Sequence, residues 1–178
     1  MQAITVTIKG LPPGLLMRRF PLEPIEGIDK KSPDEQARLA LYEQDGHPFV
    51  PGVNLQRALV AGAAFSKGKG RATLQKIVAA CVFVEEAQLP LNGATWITDA
   101  RPVTIPATKG RIVRYRPLFA AWEVNATLTY DDRLLTEQQL RRVVDDTGNL
   151  VGILDFRPER KGPFGRFIVT AWKLARGD

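Results

Sequence analysis

The segment AAWEVNATLTY constrains the fold of this chain more than any other, because apolar and polar residues alternate along most of its length. Such alternation is typical of a strand in an antiparallel sheet that buries one face. The side chains assigned to the buried face are Trp122, Val124, Ala126, Leu128 and Tyr130. The chain must therefore supply further strands and a layer of helices that covers this face.

Three other segments are predicted to be strands. In AITVTI the residues Ile4, Val6 and Ile8 alternate with threonines, and the following GLPPG ends the strand. The run CVFVEEAQLPL is rich in residues that favour β-structure, and RFIVTAWKL forms the last strand. A tight hairpin is predicted at Asp45 and Gly46.

Helical periodicity begins after Pro51, where Asn54 is the predicted N-cap of a helix. Its apolar face comprises Leu55, Ala58, Leu59, Gly62 and Phe65. A shorter helix is predicted from the spacing of Leu74, Ile77 and Val78.

A later helix begins at a capping box, in which Thr136 is followed three residues later by Gln139. This helix ends at the turn residues Gly148 and Asn149. The side chains predicted to face the core are Leu140, Val143 and Val144.

The strongest elements follow the order strand, helix, strand, strand, helix, strand. This order predicts an α+β fold with a ferredoxin-like (RRM-like) βαββαβ core, in which two helices cover one face of a four-stranded antiparallel sheet. We expect residues 1–178 to form a single domain with long loops and a basic β-hairpin inserted around residues 95–118. The free face of such a sheet is a recurrent site for single-stranded RNA or DNA.

The charge balance predicts an anionic partner. Lys and Arg total 25 against 19 acids, which gives a formal net charge of +6. No segment approaches the roughly 18 apolar residues that a membrane span requires, and the N-terminus lacks the pattern of a signal peptide, so we expect a cytoplasmic protein without a membrane partner. The single cysteine, Cys81, has no partner for a disulfide or a thiolate metal site, and no cofactor or metal is expected.

The basic residues fall into clusters that predict the binding surface. No acid separates Asp99 from Glu123, whereas five cations lie between them. In an extended strand, Arg114 and Arg116 share one side at roughly the 6 to 7 Å spacing of successive phosphates. A second cluster is the KGKGR segment (residues 67–71). The predicted nucleic-acid-binding residues are Arg18, Arg19, Arg57, Lys67, Lys69, Arg71, Lys109, Arg111, Arg114, Arg116, Arg157, Arg160, Lys161, Phe164 and Arg166.

A third cluster lies in VGILDFRPERKGPFGRF (residues 151–167), hereafter the glycine-rich loop. Its glycine spacing matches neither GxxxxGK[ST] nor GxGxxG, which excludes the common nucleoside triphosphate sites. Glycine and arginine content together predict contact with a phosphate backbone. Phe164 has two interpretations, because it could stack on a base or pack within the loop.

Catalytic constellations are weak in this sequence. His47 is the single histidine, and its neighbours in QDGHPF favour a turn or loop position. Adjacent carboxylate pairs diverge in a strand or a helix, so they do not form an acid/base dyad. Asp29, in the long loop after the first strand, is the one acid whose setting suits metal-assisted cleavage of a bound strand.

Two segments together resemble the CRISPR-associated RAMP superfamily. In HPFVPGVNLQRALVAGA, a PG pair and polar residues precede a basic amphipathic helix, and the matching positions are Pro51, Gly52, Asn54, Leu55, Arg57 and Leu59. The glycine-rich loop is similar to the loop that these proteins carry between their last helix and last strand. Its matching positions are Gly152, Gly162, Gly165 and Arg166.

The resemblance implies a non-catalytic subunit that coats a single strand by repeating head to tail, as guide-RNA-binding subunits of CRISPR effector complexes do. The implied partners are single-stranded RNA or DNA, further copies of the chain, and other CRISPR-type or phage proteins. The chain is short for such a subunit, which leaves room for a stand-alone phage or mobile-element relative that coats single-stranded DNA.

Two alternatives belong to other functional classes. The first is a RAMP-type endoribonuclease with His47 as general base. The second is a protein-binding inhibitor or adaptor module, in which exposed hairpins contact another protein and the positive charge is incidental.

Overall fold

The computed structural model describes residues 1–174, and the end of the predicted single domain at residues 175–178 lies outside the described part. Residues 1–174 form ten strands and four α-helices, a mixed structure of antiparallel sheets and helices as the α+β class predicts. The strands are β1 (Gln2–Gly10), β2 (Leu15–Leu16), β3 (Glu43–Gln44), β4 (His47–Pro51), β5 (Val82–Val84), β6 (Gln88–Pro90), β7 (Ile97–Thr104), β8 (Arg111–Phe119), β9 (Glu123–Tyr130) and β10 (Phe167–Leu174). The helices are α1 (Pro33–Leu39), α2 (Gly52–Gly62), α3 (Gln75–Cys81) and α4 (Glu137–Asp146).

The main sheet has four antiparallel strands in the order β10-β1-β9-β5. Alternation along β1 and β9 places their apolar residues on one face, where Ile4 pairs with Leu128 and Val6 with Ala126. These side chains share one hydrophobic core with the buried faces of α2 and α4. The strand predictions from AITVTI and AAWEVNATLTY are confirmed.

Helix α2 begins three residues earlier than the sequence predicts. Its N-cap is Pro51, and Asn54, the predicted cap, lies inside the helix. The amide of Gly52 donates to the carbonyl of Ala87 at 2.8 Å, and a Cβ on Gly52 would lie 1.9 Å from the Glu86 carbonyl oxygen. The PG pair is therefore required by close packing of the helix start against the chain after β5.

Helix α4 begins at the predicted capping box. The Thr136 side chain accepts from the Gln139 amide, the Gln139 side chain accepts from the Thr136 amide, and the three predicted core residues are buried. The helical path continues past its predicted end through a π-helical turn at Thr147–Val151. Thr147 stabilises this turn by donating to the Val143 carbonyl and packs so closely on α2 that a Cβ on Gly62 would lie 2.1 Å from its hydroxyl.

The turn between β9 and α4 is held by an ion pair. Asp131 accepts hydrogen bonds from the Arg133 side chain and from its backbone amide. These two interactions, in that order, lower the pKa of Asp131 from its usual 3.8 to about 2.

The basic hairpin is formed by β7 and β8, as predicted. Its base belongs to the body of the protein, because β8 also pairs with β2 and because β7 and β8 both contact α1. Phe119 at this base is fully buried, whereas residues 106–111 at the tip are exposed. The predicted hairpin at Asp45 and Gly46 connects β3 to β4, and both residues have positive φ. No helix among residues 1–174 is long and apolar enough to span a membrane.

Candidate functional site

A cleft with a volume of about 430 Å³ lies where three distant segments meet. These segments are the chain after β2, the first half of α2, and the glycine-rich loop with its 3₁₀ turn at Pro158–Arg160. Four arginines line this arginine cleft, namely Arg18, Arg57, Arg157 and Arg160. All four are among the residues that the sequence predicts to bind nucleic acid.

The charges in the arginine cleft do not cancel. Arg157 is paired with Glu159 at 2.5 Å, and Asp155 is paired at 2.6 Å with an arginine outside the cleft. In residues 1–174, no carboxylate lies within 4.0 Å of the other three guanidinium groups. Three unpaired cations therefore face one concave surface, where an oxyanion can accept several charge-assisted hydrogen bonds.

Asn54 also borders the arginine cleft and is half-buried. Because α2 begins at Gly52, the Asn54 amide group is not used as a helix cap. Sequence reasoning assigned Asn54 only a structural role, although the polar pair within the PG segment was the available signal. The side chain offers a donor and an acceptor beside Arg57.

A smaller cavity of about 180 Å³ adjoins the arginine cleft and shares Arg18 and Phe20 with it. Arg19 and Arg114, both predicted binding residues, also line this cavity. The remaining wall is largely apolar and is formed by residues of the chain between β2 and α1 and by α1 itself: Pro21, Ile25, Ile28, Leu39 and Ala40. The structure thus brings the predicted Arg18–Arg19 pair and one hairpin arginine together.

Arg116 is placed differently from the prediction. It shares a strand face with Arg114, but it is only 5% exposed and donates to Asp155 at 2.6 Å. This ion pair ties the base of the hairpin to the glycine-rich loop. Arg116 also lines the smaller cavity, and its role in nucleic-acid binding stays a prediction.

Phe164 is a packing residue, which corrects its place among the predicted binding residues. It is 1% exposed, lies 6.0 Å from the Phe156 ring, and has the Arg101 guanidinium 4.7 Å above its own ring. A base cannot reach a ring that is buried in this way. Phe164 therefore fixes the loop beneath the hairpin.

The glycines of the loop also serve packing. The amides of Gly152, Gly162 and Gly165 donate to carbonyls of Thr147, Arg157 and Gly14, so these amides are not free to bind phosphate. Gly165 has φ +71°, and a Cβ there would lie 1.9 Å from the Ile153 carbonyl oxygen. These three glycines therefore maintain the shape of the loop, whereas its Arg157 and Arg160 line the arginine cleft.

Other predicted cations lie outside both cavities. Lys67, Lys69 and Arg71 are exposed beyond the C-terminal end of α2, where Lys67 forms a β-bridge with Thr73. Lys109 and Arg111 are exposed at the hairpin tip, Lys161 is exposed on the glycine-rich loop, and Arg166 is half-buried at its end. Alternation along β8 puts Arg111 on the opposite face from Arg114.

The candidate catalytic residues stand apart from the arginine cleft. His47 is exposed at the start of β4, and Asp29 is exposed in the 3₁₀ turn Ile28–Lys30. Neither lines either cavity. Within the described residues, no group of three or more His, Cys, Asp or Glu side chains is arranged to hold a metal ion.

The free face of the main sheet does not have the composition of a base-stacking platform. Thr5, Thr7 and Asn125 lie on it, and Thr129 accompanies them beside Glu85, to which its hydroxyl donates. Phe83 is the aromatic residue that β5 places on this face, opposite Thr129. The arginines instead gather at one end of the molecule, around the glycine-rich loop.

Comparisons with known proteins give a structural likeness without a sequence match. No known protein family and no curated protein matches the sequence. Among solved structures, 47 chains match the fold, so the likeness does not depend on one of them.

One of these chains comes from the cryo-EM structure of the Type III-B Cmr-beta bound to cognate target RNA. The TM-score is 0.55 at 8% sequence identity, and the match covers 98% of this chain and 61% of that one. The present chain therefore spans about three fifths of its neighbour's length. At this identity the likeness concerns the fold alone, and it extends over almost the whole of the present chain.

Proposed function

We propose that this protein binds single-stranded nucleic acid, with the sugar–phosphate backbone held in the arginine cleft. The observation that carries the proposal is the convergence of Arg18, Arg57 and Arg160, three unpaired guanidinium groups, on one cavity of about 430 Å³. They come from segments far apart in the sequence, and such convergence is costly in electrostatic repulsion unless an anion is bound.

The fold supports the same reading. The strand order β10-β1-β9-β5, with helices between β1 and β5 and between β9 and β10, is that expected of the ferredoxin-like core, and we propose that class for the main sheet. The structural neighbour is part of an RNA-bound complex and supports a RAMP-like fold. Because that complex is bound to target RNA, RNA is the first ligand to test, with single-stranded DNA second.

We further propose that the protein is not an enzyme and that it coats the strand as a head-to-tail oligomer, alone or with CRISPR-type or phage proteins. This part of the proposal rests on the RAMP resemblance. It predicts that the mass of the complex in gel filtration grows in steps with oligonucleotide length, whereas the ligand-free protein keeps one mass. A single 1:1 complex at every length would contradict it.

The outlying cations give a test of the path of the strand. Helix α2 continues beyond Arg57 for five residues, about 7.5 Å, and the KGKGR segment lies past its end, so we expect it to contact a phosphate outside the arginine cleft. Replacement of Lys67, Lys69 and Arg71 by alanine should weaken binding of long oligonucleotides and leave a very short one unaffected. Equal weakening at all lengths would place this segment in the primary site instead.

The primary test is binding of fluorescein-labelled oligouridylate and oligothymidylate, measured by anisotropy against a duplex of the same length. The proposal predicts tight binding of a single strand that weakens steeply with salt. A preference for the duplex, or affinity that does not depend on salt, would refute it.

A further inference from the structure

Phe20 is the most exposed aromatic side chain beside the arginine cleft. It follows directly on the Arg18–Arg19 pair, is 70% exposed, and borders both cavities. The Arg18 guanidinium lies 4.6 Å from the centre of its ring. A ring so exposed is accessible to a partner that stacks on it.

The stacked Arg18 gives this position a second property. A guanidinium over an aromatic ring is held in a defined plane by the cation–π attraction, so its outer edge can still meet a phosphate. The ring and the cation together present an apolar, planar surface next to a charged one. One nucleotide complements both surfaces, because its base can stack on the ring and its phosphate can pair with the guanidinium.

The smaller cavity has the lining that a base requires. Its volume of about 180 Å³ is less than half that of the arginine cleft, which suits one ring system and not a longer stretch of chain. Ile25, Ile28 and Leu39 form apolar walls, and Tyr115 of β8 borders the cavity on the hairpin side. Arg18, Arg19 and Arg114 supply donors for a base edge or for the flanking phosphates.

From these contacts we infer that the smaller cavity is a base-binding site, in which one unpaired base stacks on Phe20 while its backbone lies in the arginine cleft. The inference rests on the proposed function and adds to it a reason for single-strand selectivity. A base inside a duplex is stacked and paired on both sides, so it cannot enter the cavity. Phe20 takes the stacking role that was one of the two interpretations of Phe164 from the sequence.

The test uses single strands that carry 2-aminopurine, whose fluorescence falls when the base stacks. Wild-type protein should quench this fluorescence, Phe20→Tyr should keep the quenching, and Phe20→Ala and Phe20→Leu should both lose it. The alanine and leucine variants should also bind base-containing strands at least about 5-fold more weakly than wild type does. This loss lies within the roughly 5- to 150-fold range expected for one base–aromatic contact. Leu22→Ala is the matched control, because Leu22 is fully exposed two residues away and lines neither cavity.

A strand of abasic sites separates this inference from the proposed function. Wild type should bind the abasic strand more weakly than the normal strand, and Phe20→Ala should bind both strands equally. If wild type already binds both strands equally and Phe20→Ala changes nothing, the base site is refuted and the backbone function stands. If wild type binds neither strand, the proposed function fails with it.

Discussion

Removal of the three unpaired cations of the arginine cleft should change the salt dependence of binding by a calculable amount. Each phosphate contact to a single strand contributes about 0.7 to the slope of log K against log salt concentration. If Arg18, Arg57 and Arg160 each hold one phosphate, their joint replacement by alanine lowers the slope by about 2. When salt is raised from 50 to 200 mM, the fold-decrease in affinity should then be about 20 times smaller for the triple variant than for wild type.

The assay is fluorescence anisotropy with one oligonucleotide over a series of salt concentrations. Two of the three side chains are exposed and Arg18 is half-buried, so melting temperature should change little. The matched control replaces Lys76, Arg142 and Lys173, which are exposed, remove the same charge, and lie outside both cavities. A slope that falls equally in the two triple variants, or in neither, would refute a localised site.

Three further variants test the architecture around the site. Arg116→Met should destabilise the protein by about 2–3 kcal/mol in chemical denaturation. This is below the roughly 3–5 kcal/mol expected for a fully buried pair, because Asp155 is 25% exposed, and adding Asp155→Leu should recover part of the lost stability. Phe164→Ala should cost about 3–5 kcal/mol and lower the melting temperature by about 10 °C, with an unchanged salt slope; a stable variant that binds weakly would return Phe164 to the binding surface. Since the pKa of Asp131 is lowered from 3.8 to about 2 by Arg133, its stabilising effect is complete above pH 4 and is lost as the pH falls towards 2, so stability measured across this range should depend less on pH in Asp131→Asn than in wild type.

Local patterns in the sequence were sufficient for the main elements of the fold. Alternation fixes which face of a strand is apolar, and the capping box between Thr136 and Gln139 depends on residues only three positions apart. The start of α2 could not be located in this way. It is determined by contact between Gly52 and the Glu86 carbonyl, a partner 34 positions away that no local pattern reveals.

The proposed binding residues show the same division. Charge clustering identified all four arginines of the arginine cleft. It could not show that, of the two β8 arginines that line the smaller cavity, Arg116 is buried in an ion pair with Asp155 whereas Arg114 is only half-buried. Both side chains lie on the same face of β8, and only the ion pair between Arg116 and the distant Asp155 distinguishes them. Phe20 was missed although it adjoins a basic pair in a long loop, because an aromatic in an irregular segment carries no periodic signal.

Cross-linking of a bound strand tests the account most directly. The protein is irradiated with a single strand that contains photoreactive 4-thiouridine, and the linked peptides are identified by mass spectrometry. We predict cross-links in the peptides that contain Phe20, Arg57 and Arg160, lost when excess unlabelled strand is added. Cross-links confined to the free sheet face around Thr7, Phe83 and Asn125, with none at the arginine cleft, would contradict the central claim.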